Sequence, residues 1–444
     1  MRLQCSRRSG GAQTPRRRAR GAAPAARNAL TPTPPSPDWT SQTGDYCDPA
    51  LFVDLYGSDA PAFGLNNSLA CSQTSQAGCA YEDSIFLNFT LATIRGAAAS
   101  GQPLFFYYAP HNTHEPLEAP AAQLAKFDFV YNECAAAAGL PALGAGKNNT
   151  CAQAVADGGA RYDAADKQCC FRQYYSAMTN LVDTHIGAVV AELKAQKMWA
   201  NTLLVVSADN GGPIYRNGAA GANNYPLRGG KKSNFEGGVR VNTLVSGGFL
   251  PAARAGTTTE ALMGIEDWYT TVCNLAGIDP ADKEGEAAGL PPVDGIDLWP
   301  FISGANSTPP RTEVWLGSNG PGNADNSKDP IVQALIRADG YKVIWGLVIE
   351  DAWTGPLYPN ATTQWCDTCP LDCGTIDAPK CLFNVFDDPT EHVNLAASHP
   401  AIVASMSARL KELTKTVFAP DRGVPDTKAA CKAGADGWVR PFLP

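Results

Sequence analysis

The chain has 444 residues, with 35 Lys and Arg against 43 Asp and Glu and a net charge of −8. That length suits one large domain plus a smaller one. Eight Arg and one Asp fall in residues 1–40, so the rest is more acidic than the total suggests, which excludes a nucleic-acid-binding surface on the main body. No apolar run reaches the roughly 18 residues of a membrane-spanning helix.

Residues 1–44 are rich in Arg, Ala and Pro and lack the apolar stretch of a secretory signal, so they are expected to form a disordered, low-complexity segment. From Asp45 the pattern alternates between strand and helix. Leu104-Phe105-Phe106-Tyr107-Tyr108 follows Pro103 and reads as a short buried strand. Residues 171–199 carry Tyr174, Met178, Leu181, His185, Val189 and Leu193 on one helical stripe. A lone histidine on such a stripe reads as packing or surface rather than as a ligand. Thr202–Val206 reads as the next strand, ending at Ser207. Strand, long helix and strand predict an α/β fold built on a mostly parallel sheet sandwiched by helices. Leu335–Ile344 predicts two short strands about the Asp339-Gly340 turn. Ile402, Met406, Leu410 and Leu413 predict a closing helix near 400–416. The expected division is an α/β domain over 45–305 and a small α+β domain over 306–444.

Fourteen cysteines, many in loop-like stretches, point to disulfides and the secretory route. Sequons at Asn66, Asn88, Asn148, Asn306 and Asn360 agree with that compartment. The cluster Cys366, Cys369, Cys373 and Cys381 begins as C-x2-C but has no second pair at finger spacing, so disulfides are expected there rather than zinc.

In an open α/β sheet, ligands bind beyond the carboxyl ends of strands. Two such ends carry polar residues: Pro110-His111-Asn112-Thr113-His114, and Ser207-Ala208-Asp209-Asn210-Gly211-Gly212. An Asp beside an Asn offers hard oxygen ligands for Ca²⁺ or Mg²⁺, although the same residues also suit a tight turn. The segment Asn224–Arg240 holds glycines that permit close backbone approach, and Arg228, Lys231, Lys232 and Arg240 that suit an anion. A solvated basic loop is the simpler reading of that segment.

Together PHNTHEPL at 110–117, SADNGG at 207–212 and PLRGGKKSNFEGGVR at 226–240 resemble the sulfatase family, in the same order. They are most similar to the arylsulfatase B group, which removes 4-sulfate from N-acetylgalactosamine units. GYKVIWG at 340–346, LFNVFDDPTEHVNLA at 382–396 and Cys431 with Trp438 extend the resemblance over about residues 45–444. The resemblance implies an alkaline-phosphatase-like fold and hydrolysis of sulfate monoesters, aryl sulfates or sulfated glycans, with one Ca²⁺. It implies that Asp209 and Asn210 are two of the four metal ligands, and that Lys231 and His114 contact the sulfate. His111, Lys232 and Arg228 match no chemical role. A secreted, lysosomal or vacuolar location follows from the same likeness.

The family's nucleophile is a Cys in C-x-P-S/A-R, converted to formylglycine by a dedicated generating enzyme. That motif and the paired acidic metal ligands are absent from this sequence. Cys47-Asp48-Pro49-Ala50-Leu51 is the nearest approach, with Leu51 in place of the arginine, which makes Cys47 a weak nucleophile candidate. The expectation is a longer sulfatase whose first strands are missing here, inactive as written. The rival expectations are a non-catalytic sulfatase-like protein binding anionic glycans, a phosphatase or phosphodiesterase of the same superfamily, and an unstable gene fragment.

Overall fold

The structure is a computed structural model and describes residues 56–57, 60–61, 81–114, 117–140, 142–143, 151, 165–214, 220–317, 332–359 and 371–416. Residues 1–44 and Cys47 lie outside these, as do Cys366, Cys369 and Cys431. Along the chain the principal elements are α1 (Glu82–Ser100), α2 (Asp128–Ala137), α3 (Ala165–Ala195), β1 (Leu204–Ser207), α4 (Glu236–Val239), β2 (Thr243–Ser246) and α5 (Asp267–Leu275). They continue with β3 (Glu313–Leu316), β4 (Val332–Arg337), β5 (Tyr341–Val348), β6 (Leu371–Asp372), β7 (Cys381–Asn384) and α6 (Pro400–Thr414).

Helix α3 is the expected amphipathic helix. Tyr174, Met178, His185, Val189 and Leu193 are all buried, and Leu181 packs partly buried against the same core. Its first half packs on α2 through Tyr131, Cys134 and Ala135, and its second half on α1 through Leu87, Leu91 and Ile94. Disulfides Cys134–Cys169 and Cys151–Cys170 staple the start of α3 to α2 and to the segment between them. His185 is 5% exposed, with Nδ1 at 3.4 Å from the Tyr108 hydroxyl. It is a packing residue, as its place on the stripe predicts. Burial holds its pKa below the ordinary value.

Leu104–Tyr108 departs from expectation. It forms no strand, and Phe105 and Tyr107 are 58% and 83% exposed. Leu104, Phe106 and Tyr108 are half-buried, so burial alternates with period two, but a strand also requires a paired neighbour. No strand among the described residues supplies one. Strand β1 lies close to its expected place and pairs antiparallel with β2, Val205 opposite Val245. Among the described residues between β1 and β2, the regular element is the four-residue α4. All strand pairs among the described residues are antiparallel.

The larger sheet has the order β7-β5-β4-β3, with β6 pairing the end of β5. The β4–β5 hairpin turns at Asp339-Gly340 as expected, with Leu335 opposite Val343. The period-two alternation of strands gives this sheet two apolar faces. Leu335, Val343 and Leu382 meet Met406 and Leu410 of α6. Ala334, Ile344, Cys381 and Phe383 meet Phe235 of the glycine-rich segment. Truncating a buried side chain such as Met406 or Phe383 to Ala would cost about 2–5 kcal/mol. Cys373 and Cys381 form a disulfide within this core, which settles half of the C-terminal cysteine cluster in favour of oxidation. No helix among the described residues is long and apolar enough to cross a membrane.

Candidate active site

Three glycine pairs interlock to build the site. A Cβ on Gly211 would lie 1.7 Å from the Gly237 carbonyl oxygen, and one on Gly230 would lie 2.4 Å from the Gly212 oxygen. On Gly237 it would stand 2.3 Å from the Gly229 oxygen. Backbone meets backbone at each of these points, so any larger residue displaces main chain. Hydrogen bonds close the assembly. Gly211 N donates to Gly238 O at 2.9 Å, Gly237 N to Arg228 O at 2.7 Å and Lys231 N to Gly212 O at 3.2 Å. Asn224 clamps both loops: its Oδ1 accepts Gly212 N at 2.9 Å, and its Nδ2 donates to Gly212 O and Gly229 O at 2.7 and 3.0 Å. The loop carrying Asp209 and Asn210 is thereby locked to the loop carrying Lys231.

His114 reaches this assembly from a different part of the chain. Its Nε2 lies 3.3 Å from Lys231 Nζ. A lysine ammonium only donates, so Nε2 stands as the acceptor in this contact. Lys231 is half-buried and His114 exposed, so the pair opens toward solvent. A lysine ammonium opening on solvent suits an anion, since it can exchange the imidazole for an anionic oxygen.

Asp209 and Asn210 sit just beyond β1. Asp209 Oδ1 accepts Asn210 N at 2.8 Å, and Asn210 Nδ2 donates to Gly211 O at 2.8 Å. The tied amide nitrogen leaves Asn210 Oδ1 on the opposite side. A carboxylate and an amide oxygen are hard donors that fit Ca²⁺. Two fall short of the six to eight that Ca²⁺ takes, and no group of three or more His, Cys, Asp or Glu among the described residues could hold a metal. A cleft of about 620 Å³ borders Asp209 and Asn210 and is also lined by Lys232, Trp268 and Trp315, whereas His114 and Lys231 are not part of its lining. Cys47 lies outside the described residues, so its relation to these groups is not placed.

Arg228 belongs to the frame rather than to the anion site. It is 7% exposed, with its guanidinium 4.1 Å from the Phe235 ring and 4.0 Å from the Trp353 ring. Nε donates to Asp351 O at 2.8 Å and Nη1 to Glu391 O at 3.2 Å. Burial holds its pKa below the ordinary arginine value, against the pull of Asp351 and Glu391. The Trp353 ring also stacks on His392 at 4.4 Å.

Beneath it lies a buried charged triad that the sequence did not announce. Lys342 Nζ lies 2.8 Å from both Glu236 Oε1 and Glu391 Oε1. Lys342 and Glu391 are fully buried, and Glu236 is 5% exposed. Glu391 Oε2 accepts Glu236 N at 2.7 Å. The Glu391 Oε1 contact is an ion pair without hydrogen-bond alignment. Burial alone would push the Lys342 pKa down, and the two carboxylates outweigh it and hold it up. Burial raises Glu391, and Lys342 offsets this only in part. The triad pins β5 and the 388–391 turn to the start of α4, which carries Gly237 and Gly238.

The His114 loop has its own support. Asp83, 2% exposed near the start of α1, accepts His111 N at 3.0 Å and Asn112 N at 3.1 Å. The Tyr81 hydroxyl contacts Asn112 Oδ1 at 2.7 Å and Glu118 O at 2.9 Å. Sequence reasoning passed over both, because an acid in a first helical turn is ordinary.

With the geometry in place, comparison with known proteins identifies the chain. The sulfatase family model matches residues 34–278, more than half of the chain. Arylsulfatase J of Mus musculus is 28% identical, covering 84% of this chain and 55% of that protein. N-acetylgalactosamine-6-sulfatase of Sus scrofa is 30% identical, over 30% of this chain and 23% of that protein. This chain therefore spans about half of the first relative and less of the second. The crystal structure of Ps i-CgsB in complex with k-i-k-neocarrahexaose superimposes with a TM-score of 0.52 at 21% identity, covering 77% of this chain and 56% of that one, which shows a shared fold. The chain belongs to the sulfatase family.

Proposed function

We propose that this chain carries part of the active site of a sulfuric ester hydrolase that acts on aryl sulfates or sulfated glycans. The observation that carries the reading is the 3.3 Å approach of Lys231 Nζ to His114 Nε2, beside the loop of Asp209 and Asn210. Lys231 would bind a sulfate oxygen as a fixed cation. His114, released from Lys231 when the anion enters, would take up a proton from solvent at Nε2 and then donate it toward the sulfate or the leaving oxygen. Both interactions strengthen as charge builds on those oxygens. Asp209 and Asn210 would supply two oxygens to a Ca²⁺ ion, which when bound polarises a sulfate oxygen as a Lewis acid. The nucleophile is left unassigned, and the formylglycine implied by the family would be made by its generating enzyme. The amide of Asn210 is a poor zinc ligand, which disfavours the two-zinc phosphatase reading.

The proposed organisation is an α/β domain to about residue 305 and a smaller α+β domain after it. The proposed compartment is the secretory pathway, ending in secretion or a lysosome or vacuole. The disulfides Cys134–Cys169, Cys151–Cys170 and Cys373–Cys381 support it, as do sequon residues Asn88 and Asn306, both exposed. Binding is the first test, because the chain as written is expected to give no turnover. Isothermal titration with sodium sulfate, with Ca²⁺ present, should show one site. Lys231→Met should weaken that site at least about tenfold, the loss of one charge-assisted contact. Absence of sulfate binding, or zinc-dependent turnover of an aryl phosphate, would refute the reading. Sulfated-oligosaccharide binding without hydrolysis by a chain bearing the nucleophile segment would favour a glycan-binding role.

A further inference from the structure

We propose that Asp83 is the positioning residue for His114, with Tyr81 as its second anchor. The inference deepens the sulfate reading and rests on it for its functional meaning. Asp83 is the second residue of α1, where a carboxylate usually lies in solvent and interacts with the helix dipole. Here it does not. Its side chain is 2% exposed, and each of its oxygens takes a backbone N–H 28 or 29 residues along the chain. Burying a carboxylate is costly unless its oxygens are satisfied, and N–H groups that satisfy one are held in turn.

The two N–H groups belong to His111 and Asn112. His111 O accepts His114 N at 2.9 Å, so the turn that ends in His114 begins at the residue Asp83 holds. The Tyr81 hydroxyl joins Asn112 Oδ1 to Glu118 O across the same turn. The start of α1 thus fixes both sides of the loop, and the loop delivers Nε2 to within 3.3 Å of Lys231. Lys231 is placed separately, by Gly212 and the Asn224 clamp. The anion site therefore has two halves built on unconnected supports. Asp83 touches neither anion nor metal in this scheme and acts only through His114.

The test uses the full chain, sodium sulfate as the probe, and the five histidine Cε1–H signals in a ¹H–¹³C spectrum. Asp83→Asn keeps the shape but replaces one acceptor oxygen with a donor, so one of the two N–H groups loses its partner. In the sulfate-free protein the His111 and His114 signals should move while His392 and His399 stay. The sulfate Kd should rise about tenfold, as expected when a contact group shifts by a fraction of an ångström to an ångström. Tyr81→Phe should raise Kd about threefold with a smaller movement of the same two signals. If the wild type does not bind sulfate, the sulfate reading fails, while the His114 signal still decides the positioning claim. Unmoved His114 signals and an unchanged Kd in folded Asp83→Asn overturn the inference. If Asp83→Asn does not fold, an unchanged Kd in Tyr81→Phe overturns it instead.

Discussion

Replacing Lys342 with Met would expose what the buried triad contributes. The substitution keeps the volume of the stem and removes the ammonium, leaving Glu236 and Glu391 facing each other in a site where Lys342 and Glu391 are fully buried. Breaking a buried ion pair by removing one partner costs about 3–5 kcal/mol, most of it the penalty on the charge left behind. The sign with pH follows. A carboxyl whose folded pKa is raised contributes stability that is fully present below its unfolded pKa and is lost as pH rises through the folded one. Glu391 is already raised in the wild type, and the variant has no ammonium to restrain it. Lys342→Met should therefore be much less stable than wild type at pH 7, and the gap should narrow toward pH 5. Urea unfolding followed by tryptophan fluorescence measures both. A midpoint at pH 7 equivalent to less than ~1 kcal/mol of loss, with no narrowing at pH 5, would contradict a buried, charged triad.

The glycine interlock predicts that Gly211→Ala abolishes sulfate binding, because its Cβ would fall 1.7 Å from the Gly237 carbonyl oxygen and only main-chain movement can relieve that. Titration calorimetry of a variant that retains its far-UV circular dichroism is the check, and wild-type affinity would refute it. His185 predicts the opposite pH trend from the triad. Burial lowers its folded pKa, so its contribution is present above about pH 6.5 and lost as pH falls. His185→Gln should lose less stability than wild type on acidification from pH 7 to 5, seen as a smaller drop in Tm. An equal drop would refute this.

The elements legible in the sequence were those whose pattern is local. The α3 stripe, the β4–β5 hairpin and α6 repeat their apolar residues at helical or strand spacing, and all three formed close to where that spacing put them. Leu104–Tyr108 misled because composition reports the propensity to extend but not the presence of a partner strand. The triad was illegible for a related reason. Glu236, Lys342 and Glu391 are charged residues that local reasoning assigns to solvent, and they are 49 to 155 residues apart. Arg228 looked like part of a solvated basic loop, and only the approach of Phe235 and Trp353 makes it a buried clamp. The meeting of His114 with Lys231 spans 117 residues, so no local spacing could reveal it. Motif resemblance named both residues, but it did not reveal Asp83.

The interlocked glycines also bear on the rhythm of local opening. The amides of Gly211, Lys231 and Gly237 each donate to a carbonyl in a neighbouring loop, and none of these bonds can open without freeing the next. Hydrogen exchange at the three should therefore proceed at one common rate, as a single cooperative unit. A surface built this way is held by main chain against main chain, with the Asn224 side chain clamping the same two loops. It would pass between an intact anion cradle and no cradle, without a half-open form in which Lys231 keeps its place while Asn210 has left.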